Sequence, residues 1–335
     1  MIKEAIEKVA NRIDLTEARM RDAFNEIMTG SATAAQIAAF VTALRMKGET
    51  VEEITAAASV MRERSLHISV RGEVVDTCGT GGGGANTFNI STAAAIVAAG
   101  CGLKVAKHGN RSASSRCGSA DVLEALGVKL EVSPDLTQRC LLEIGIAFLY
   151  APVFHGAMKY AAAVRREMGI RTIFNLLGPM TNPASATAQV VGVYDGALVE
   201  KIAMVLKNLE VKRAFVVFGA DICDEITITG KTRVSELNHG RIRNYIITPE
   251  KFGLHRASLD EIEGGDPEEN ADIMLDILKG ERSPRRDIVL LNASASLVAG
   301  SKANDLKAGI KMAAESIDSG CALDKLMKLI ELTNR

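Results

Sequence analysis

DTCGTGGGGANTFNIST, residues 76–92, follows the apolar pair Val74-Val75 and runs into an alanine-rich stretch that starts at Ser91. A short β-branched run, a glycine-dense turn and a helical stretch, in that order, make one strand–loop–helix unit. The five glycines at 79, 81, 82, 83 and 84 allow positive φ and bring amide N–H groups within contact distance of an anion. The helix that begins near Ser91-Thr92 points its first N–H groups and positive dipole end at the same spot. Asn86, Thr87, Asn89, Ser91 and Thr92 add short side-chain donors. The stretch reads as a phosphate or pyrophosphate cradle on an α/β frame. Its spacing is not that of a P-loop, since no Gly-Lys-Ser/Thr follows, nor is it G-x-G-x-x-G.

Downstream, the same alternation recurs. Strands are expected at Leu103 to Ala106, Ile146 to Leu149, Val190 to Val193 and Ala214 to Phe218, with helical stretches starting at Ser119, Pro134, His155 and Gly196. The sequence Asp266-Pro267-Glu268-Glu269 marks a further helix start, with Asp as cap and Pro at the first helical position. Residues 1–70 read differently, as helices only. Thr33-x-x-Gln36 and Thr50-x-x-Glu53 have capping-box form, Gly30 and Gly48 sit where helices should stop, and Ile37, Phe40, Val41 and Leu44 share one helical face. The expected fold is a small all-helical N-terminal domain, 1–70, and a large α/β domain, 71–335, with a mostly parallel central sheet flanked by helices. So small a helical unit has little core of its own, so it is expected to pack on the rest of the chain or on a second subunit.

Composition removes several classes of function. At 335 residues the chain exceeds one ordinary domain, and 47% apolar residues with a mean hydropathy of +0.11 supply a large core. Charged residues make up 24%, close to the globular norm, which argues against disorder. With 40 basic and 41 acidic residues the net charge is -1, so no global attraction to nucleic acid or anionic lipid is expected. The six cysteines form no C-x-x-C pair, which argues against a zinc or redox motif and suggests scattered buried thiols in a reducing compartment. The N-terminus is charged throughout, and the longest dense apolar run, Ala93 to Ala99, is far shorter than the ~20 residues of a membrane span. A soluble, cytoplasmic protein is expected.

Three more stretches carry chemistry. KHGNRSASS, residues 107–115, follows the next expected strand, with Ser119 close behind. Loops at the carboxyl ends of parallel strands converge on one face, so this basic loop and the glycine loop should meet. Lys107 and Arg111 bring charge, and Asn110, Ser112, Ser114 and Ser115 bring neutral donors, which suits a doubly phosphorylated sugar. His108 is read as a pocket residue rather than a base. Asp224-Glu225, after the strand Ala214 to Phe218, is a pair of hard oxygen ligands suited to Mg²⁺. Arg165, Arg166 and Arg171 precede a Gly/Pro-punctuated turn, and arginine forks bind carboxylates in bidentate fashion.

In the order and spacing of these four motifs, DTCGTGGGGANTFNIST, KHGNRSASS, RTIFNLLGPMTNP (171–183) and the acidic pair, the chain resembles the anthranilate phosphoribosyltransferases along nearly its whole length. The resemblance implies Mg²⁺-dependent transfer of the phosphoribosyl group of phosphoribosyl pyrophosphate (PRPP) to the amine of anthranilate, in tryptophan biosynthesis. It puts Gly79, Gly82, Gly83, Thr87, Asn89, Ile90, Ser91 and Thr92 on PRPP. Lys107, His108, Gly109, Asn110, Arg111, Ser112, Ala113, Ser114, Ser115 and Ser119 would surround the phosphates. Anthranilate would meet Gly79, His108, Asn110 and Arg165, while Ser91, Asp224 and Glu225 would hold two Mg²⁺ ions. It further implies a homodimer paired through the helical parts, with a segment around 165–185 completing the helical domain. Two positions depart from the family: Gly83 stands where an aspartate is usual, and Gly156 where a proline is usual. Two other readings compete, a pyrimidine nucleoside phosphorylase-like enzyme and a non-catalytic relative that binds nucleic acid. The KHGNRS stretch argues against the first, and the balanced charge and intact acidic pair against the second.

Overall fold

The computed structural model describes residues 1–81, 86–112, 116–220 and 224–335. Four helices open the chain: Ile2–Ala10, Glu17–Met28, Ala34–Lys47 and Val51–Glu63. Both expected capping boxes form, Thr33 with Gln36 and Thr50 with Glu53. Gly48 ends the third helix at φ 89°, a left-handed backbone that suits glycine. Glu53 does more than cap. Its side chain is fully buried and accepts from the amides of Leu15 (2.9 Å) and Thr50 (2.9 Å) and from Lys47 Nζ (2.9 Å). That buried carboxylate ties the loop before the second helix to the turn between the third and fourth.

The α/β part holds a seven-stranded sheet: β1 Val75–Gly79, β2 Val105–Gly109, β3 Ile146–Tyr150, β4 Ala188–Gly192, β5 Arg213–Gly219, β6 Thr232–Asn238 and β7 Arg241–Ile247. Its order is β3-β2-β1-β4-β5-β6-β7, with β1 to β5 parallel and β6 and β7 antiparallel additions. All five expected strands are present, and the sheet is mostly parallel. The β6–β7 hairpin was not expected. It turns at His239-Gly240, both at positive φ (45° and 80°), as a tight two-residue hairpin requires. The chain edge at β7 carries exposed Arg241 and Arg243, and Lys251 Nζ donates to the Ile246 carbonyl at 2.8 Å.

The apolar core lies on both faces of the sheet, and strand alternation sorts residues between them. Phe215 and Val217 of β5 face a cluster with the Ile90–Gly100, Pro284–Ala299 and Cys321–Thr333 helices. Ala214 and Val216 face the other cluster, which contains Met20, Phe24, Phe40 and Ile54 of the N-terminal helices together with Ile173, Phe174 and the Leu198–Asn208 helix. The helical unit therefore shares its core with one face of the sheet. Burying each large apolar side chain contributes roughly 1.5–3 kcal/mol, so this shared face binds the two parts firmly.

Other sequence readings need adjustment. The stretch from His155 is a 3₁₀ turn, Gly156–Met158, followed by the Lys159–Met168 helix, and the helix expected from Gly196 starts at Leu198. Cys321 is exposed rather than buried, while Cys78, Cys117 and Cys140 are buried as expected. Among the described residues no helix is long and apolar enough to cross a membrane.

Candidate active site

In a parallel sheet a crevice opens outside the carboxyl ends of two neighbouring strands whose connections leave in opposite directions. Here that point lies between β1, whose neighbour on one side is β2, and β4. The two strands end in register at Gly79 and Gly192. Asp224 comes in over both ends from the segment after β5. A Cβ on Gly79 would sit 2.3 Å from Asp224 Oδ2, and one on Gly192 would sit 1.5 Å from the Asp224 carbonyl oxygen. Only glycine leaves room for that approach. The Asp224 carboxylate then accepts from the Gly81 amide at 2.9 Å, at the entry to the glycine loop.

Glu225 points the other way, to the start of the Ile90–Gly100 helix, and accepts from the Ser91 amide at 3.2 Å. Lys107, buried on β2, reaches across β1. Its Nζ donates to the Thr77 carbonyl (2.6 Å) and lies 3.3 Å from Ser91 Oγ. Thus Gly79, Ser91, Lys107, Asp224 and Glu225, drawn from three separate motifs, meet at one place. Burial and the neighbouring Asp224 charge push the Glu225 carboxyl up to about 8, and burial raises Asp224. Burial lowers Lys107, against the pull of Asp76.

Two carboxylates and a hydroxyl in a poorly solvated corner suit a hard cation, which would remove the cost of ionising both acids. Among the described residues no cluster of three or more His, Cys, Asp or Glu could cage a metal.

The basic loop behaves less uniformly. Ser119 Oγ donates to the Asn110 carbonyl at 3.3 Å, and a Cβ on Gly109 would strike Ser119 Oγ at 2.2 Å, so these three positions are tightly nested. Asp121 gathers the amides of Ser112 (3.0 Å) and Gly118 (2.8 Å). Arg111 turns outward instead: Nη1 pairs with Asp121 (3.0 Å) and Glu124 (2.7 Å), and Nη2 donates to Glu124 (2.9 Å). Gly82, Gly83, Ala113, Ser114 and Ser115 lie outside the described residues.

His108 is a fixture of the wall. Its amide donates to Asp76 Oδ1 at 3.1 Å, and Nδ1 lies 3.1 Å from the Gly178 carbonyl oxygen, which only accepts. The neutral ring therefore carries its proton on Nδ1, and its Nε2 lone pair faces His155 Nε2 at 3.1 Å. Burial and the facing ring lower His108 to about 3, and burial lowers His155 to about 4. Buried Asn182 joins the wall to the sheet, donating to Asp76 Oδ2 (2.7 Å) and to the Ala106 carbonyl (2.8 Å). Arg165, on the Lys159–Met168 helix, lies over the Phe174 ring at 5.4 Å and forms no ion pair among the described residues. Burial lowers its pKa, as expected for a guanidinium short of both water and a counter-ion. No direct contact links it to the acidic pair.

Sequence reading overlooked several contributors. Gly192 is one, although a glycine at a strand's carboxyl end was a usable signal. Thr80 is another: its amide donates to the Gly192 carbonyl (2.9 Å) and its Oγ1 accepts from the Tyr194 amide (3.0 Å), lacing β1 to β4. The glycine loop's far side is also backed by residues from 263 to 270. Asn86 Nδ2 donates to Glu263 Oε1 (3.1 Å), the Gly264 amide to the Asn86 carbonyl (2.8 Å), and Thr87 forms an isolated antiparallel bridge with Glu263. Nothing in the local sequence announced that partner.

Comparisons with known proteins cover nearly the whole chain and agree with its fold. Residues 3–65 match the profile of the "Glycosyl transferase family, helical bundle domain" and residues 71–323 that of the "Glycosyl transferase family, a/b domain". The anthranilate phosphoribosyltransferase of Citrifermentans bemidjiense is 56% identical over 100% of this chain and 99% of its own length. That of Geobacter sulfurreducens is 55% identical over 100% of both. Among solved structures, the Thermus thermophilus anthranilate phosphoribosyltransferase superposes with a TM-score of 0.94 at 42% identity, covering 99% of each chain. The Saccharomyces cerevisiae enzyme in complex with PRPP and Mg superposes at 0.92 with 30% identity, covering 99% of this chain and 98% of that one.

Proposed function

Since the chain belongs to the anthranilate phosphoribosyltransferase family, we propose how its own residues carry the family's reaction. The chain transfers the phosphoribosyl group of PRPP to the amine of anthranilate, giving N-(5-phosphoribosyl)anthranilate and pyrophosphate, a step of tryptophan biosynthesis. Our assignment of the residues rests on one observation above the rest, the meeting of Asp224, Glu225, Ser91 and Lys107 over the glycine ends of β1 and β4.

We assign the leaving pyrophosphate to this corner. Two Mg²⁺ ions held by Ser91, Asp224 and Glu225 would supply charge neutralisation to the pyrophosphate as it departs. Gly79, Gly82, Gly83, Thr87 and residues 89–92 would line the PRPP side, and residues 107–110 and 112–115 with Ser119 would take the phosphates, Arg111 being engaged by Asp121 and Glu124. On the acceptor side, the unpaired Arg165 guanidinium suits the anthranilate carboxylate, and Gly79, His108 and Asn110 complete that pocket. The attacking aromatic amine is neutral with a free lone pair, so the step needs no strong base. The low pKa of His108 agrees with a wall residue that moves no proton near neutral pH. Holding two reactants in line can supply roughly 7–11 kcal/mol, whereas a helix N-terminus gives only about 0.3–1 kcal/mol at an exposed site. Positioning and preorganised charge therefore carry most of the rate.

We further read the chain as a cytoplasmic homodimer that docks through its helical part, residues 1–70 completed by the segment around 165–185. Exposed Ile13 and Met46 in that part support this reading. The decisive assay follows the loss of anthranilate fluorescence with PRPP and Mg²⁺, against controls lacking PRPP or containing a chelator. Loss that needs both additions supports the assignment. Loss that persists with the chelator overturns the metal role, and cleavage of a pyrimidine nucleoside by phosphate instead would favour the phosphorylase reading.

A further inference from the structure

Asn270 lies 45 residues beyond the last motif of the site (270 against 225), yet in space it sits behind both phosphate loops. It occupies the second turn of the Pro267–Leu278 helix and is 1% exposed. Asparagine is a poor residue for a helix interior, and a buried amide is costly unless its donors and acceptor are used. This one is used. Its Oδ1 accepts from the Gly265 amide at 2.8 Å, and because that N–H can only donate, the orientation of the side chain is fixed. Its Nδ2 then donates to Asn89 Oδ1 at 3.0 Å.

Asn89 stands at the N-cap of the Ile90–Gly100 helix, yet its side chain makes no capping bond. It faces backwards instead, accepting from Asn270 and from Cys117 Sγ (3.2 Å) and donating to the Cys117 carbonyl (3.3 Å). Cys117 precedes Gly118, whose amide is held by Asp121 at the base of the basic loop. One amide thus connects three backbones: the 263–265 turn, the entry to the Ile90–Gly100 helix and the end of the basic loop. The turn itself has no slack, since a Cβ on Gly264 would lie 2.5 Å from the Phe88 amide nitrogen.

We propose that Asn270 is a positioning residue for PRPP, setting the separation of the glycine loop and the basic loop through Asn89 without touching the substrate. The proposal rests on the functional reading above and adds to it a residue outside the four motifs. It separates the substrates. The relay reaches the two phosphate loops, whereas Arg165 is held by a different helix.

The test uses the full chain with Asn270→Asp and Asn270→Ala. Aspartate keeps the size and the acceptor for Gly265 but, when ionised, turns an oxygen toward Asn89 Oδ1. The KM for PRPP in Asn270→Asp should rise about tenfold, with the KM for anthranilate within about twofold of the parent. The PRPP defect should shrink as pH falls toward about 5, because burial raises a carboxyl and its protonated form again offers a donor to Asn89. Asn270→Ala should show the same split without the pH recovery. Unchanged constants for both substrates, or equal losses for both, would overturn the role. If the parent itself fails to consume anthranilate, the functional reading fails and this role with it; if only the variants behave as the parent, this role fails alone.

Discussion

Arg165 and Glu225 are both ionisable groups that the fold buries, and their consequences differ. An arginine over an aromatic ring, with no ion pair among the described residues, is prepared for a carboxylate from outside the chain. Hydrogen bonds to charged groups are worth about 1.5–3 kcal/mol, so Arg165→Ala should raise the KM for anthranilate by about tenfold or more. The KM for PRPP should move little, and steady-state kinetics with each substrate varied would show an equal loss if the assignment is wrong. For Glu225 the consequence is pH-dependent. Its carboxyl, normally near 4.5, is raised to about 8, so between those values the folded chain binds more protons than the unfolded one. Stability of the cation-free protein from this group therefore falls as pH rises through that interval. In the presence of a chelator, the parent should lose more melting temperature between about pH 6 and about pH 8 than Glu225→Gln does, and Mg²⁺ should restore the parent most at the higher pH. Parallel melting curves for the two proteins would contradict this. The site residues were legible where chemistry and local spacing coincide, as at Asp224-Glu225 and Lys107. They were illegible where the reason is a tertiary neighbour: Arg111 finds two carboxylates and turns away, and Asn89 serves a residue nearly two hundred positions later rather than its own helix.

At the scale of elements, the meeting of β1, β4 and the segment after β5 depends on two missing side chains. Gly192→Ala should displace Asp224 and Glu225, because its Cβ would overlap the Asp224 carbonyl. An ångström of misplacement can cost about a hundredfold in rate, so kcat/KM should fall by about that factor while the far-ultraviolet circular dichroism stays unchanged. Activity close to the parent's would mean the acidic segment is not placed by this contact. The parallel strands were legible because each contains or follows on from a short apolar run, although β1 and β2 continue through Asp76-Thr77 and Lys107-His108. The β6–β7 hairpin was not. Thr232–Asn238 and Arg241–Ile247 mix charged and apolar residues, since β7 faces water, and so they lack the dense apolar signature of the inner strands. Helix starts were legible at the side-chain caps Thr33, Thr50 and Asp266, and misplaced by one or two residues at Ile90 and Leu198, where no side chain caps.

For the whole molecule, the division into a helical part and an α/β part is clear in the chain's texture but not in its core. Met20, Phe24, Phe40 and Ile54 pack into the same apolar cluster as Val191 of β4 and Val216 of β5. Two parts that share one core should not melt separately. Scanning calorimetry should therefore give a single unfolding transition, and two resolved peaks would show that the shared face contributes little. Sequence periodicity could locate the apolar faces of the first four helices, but not which other face each would meet.

The sheet's outer strand has a consequence of a different kind. An open β edge is a template for another chain, and proteins that expose one risk growing sheets across molecules. Here Arg241 and Arg243 stand along β7, and the Lys251 ammonium occupies the Ile246 carbonyl that a foreign strand would have to bond. An incoming strand would need to displace a cation and desolvate two more. The edge thus resists fibril-like growth at high concentration.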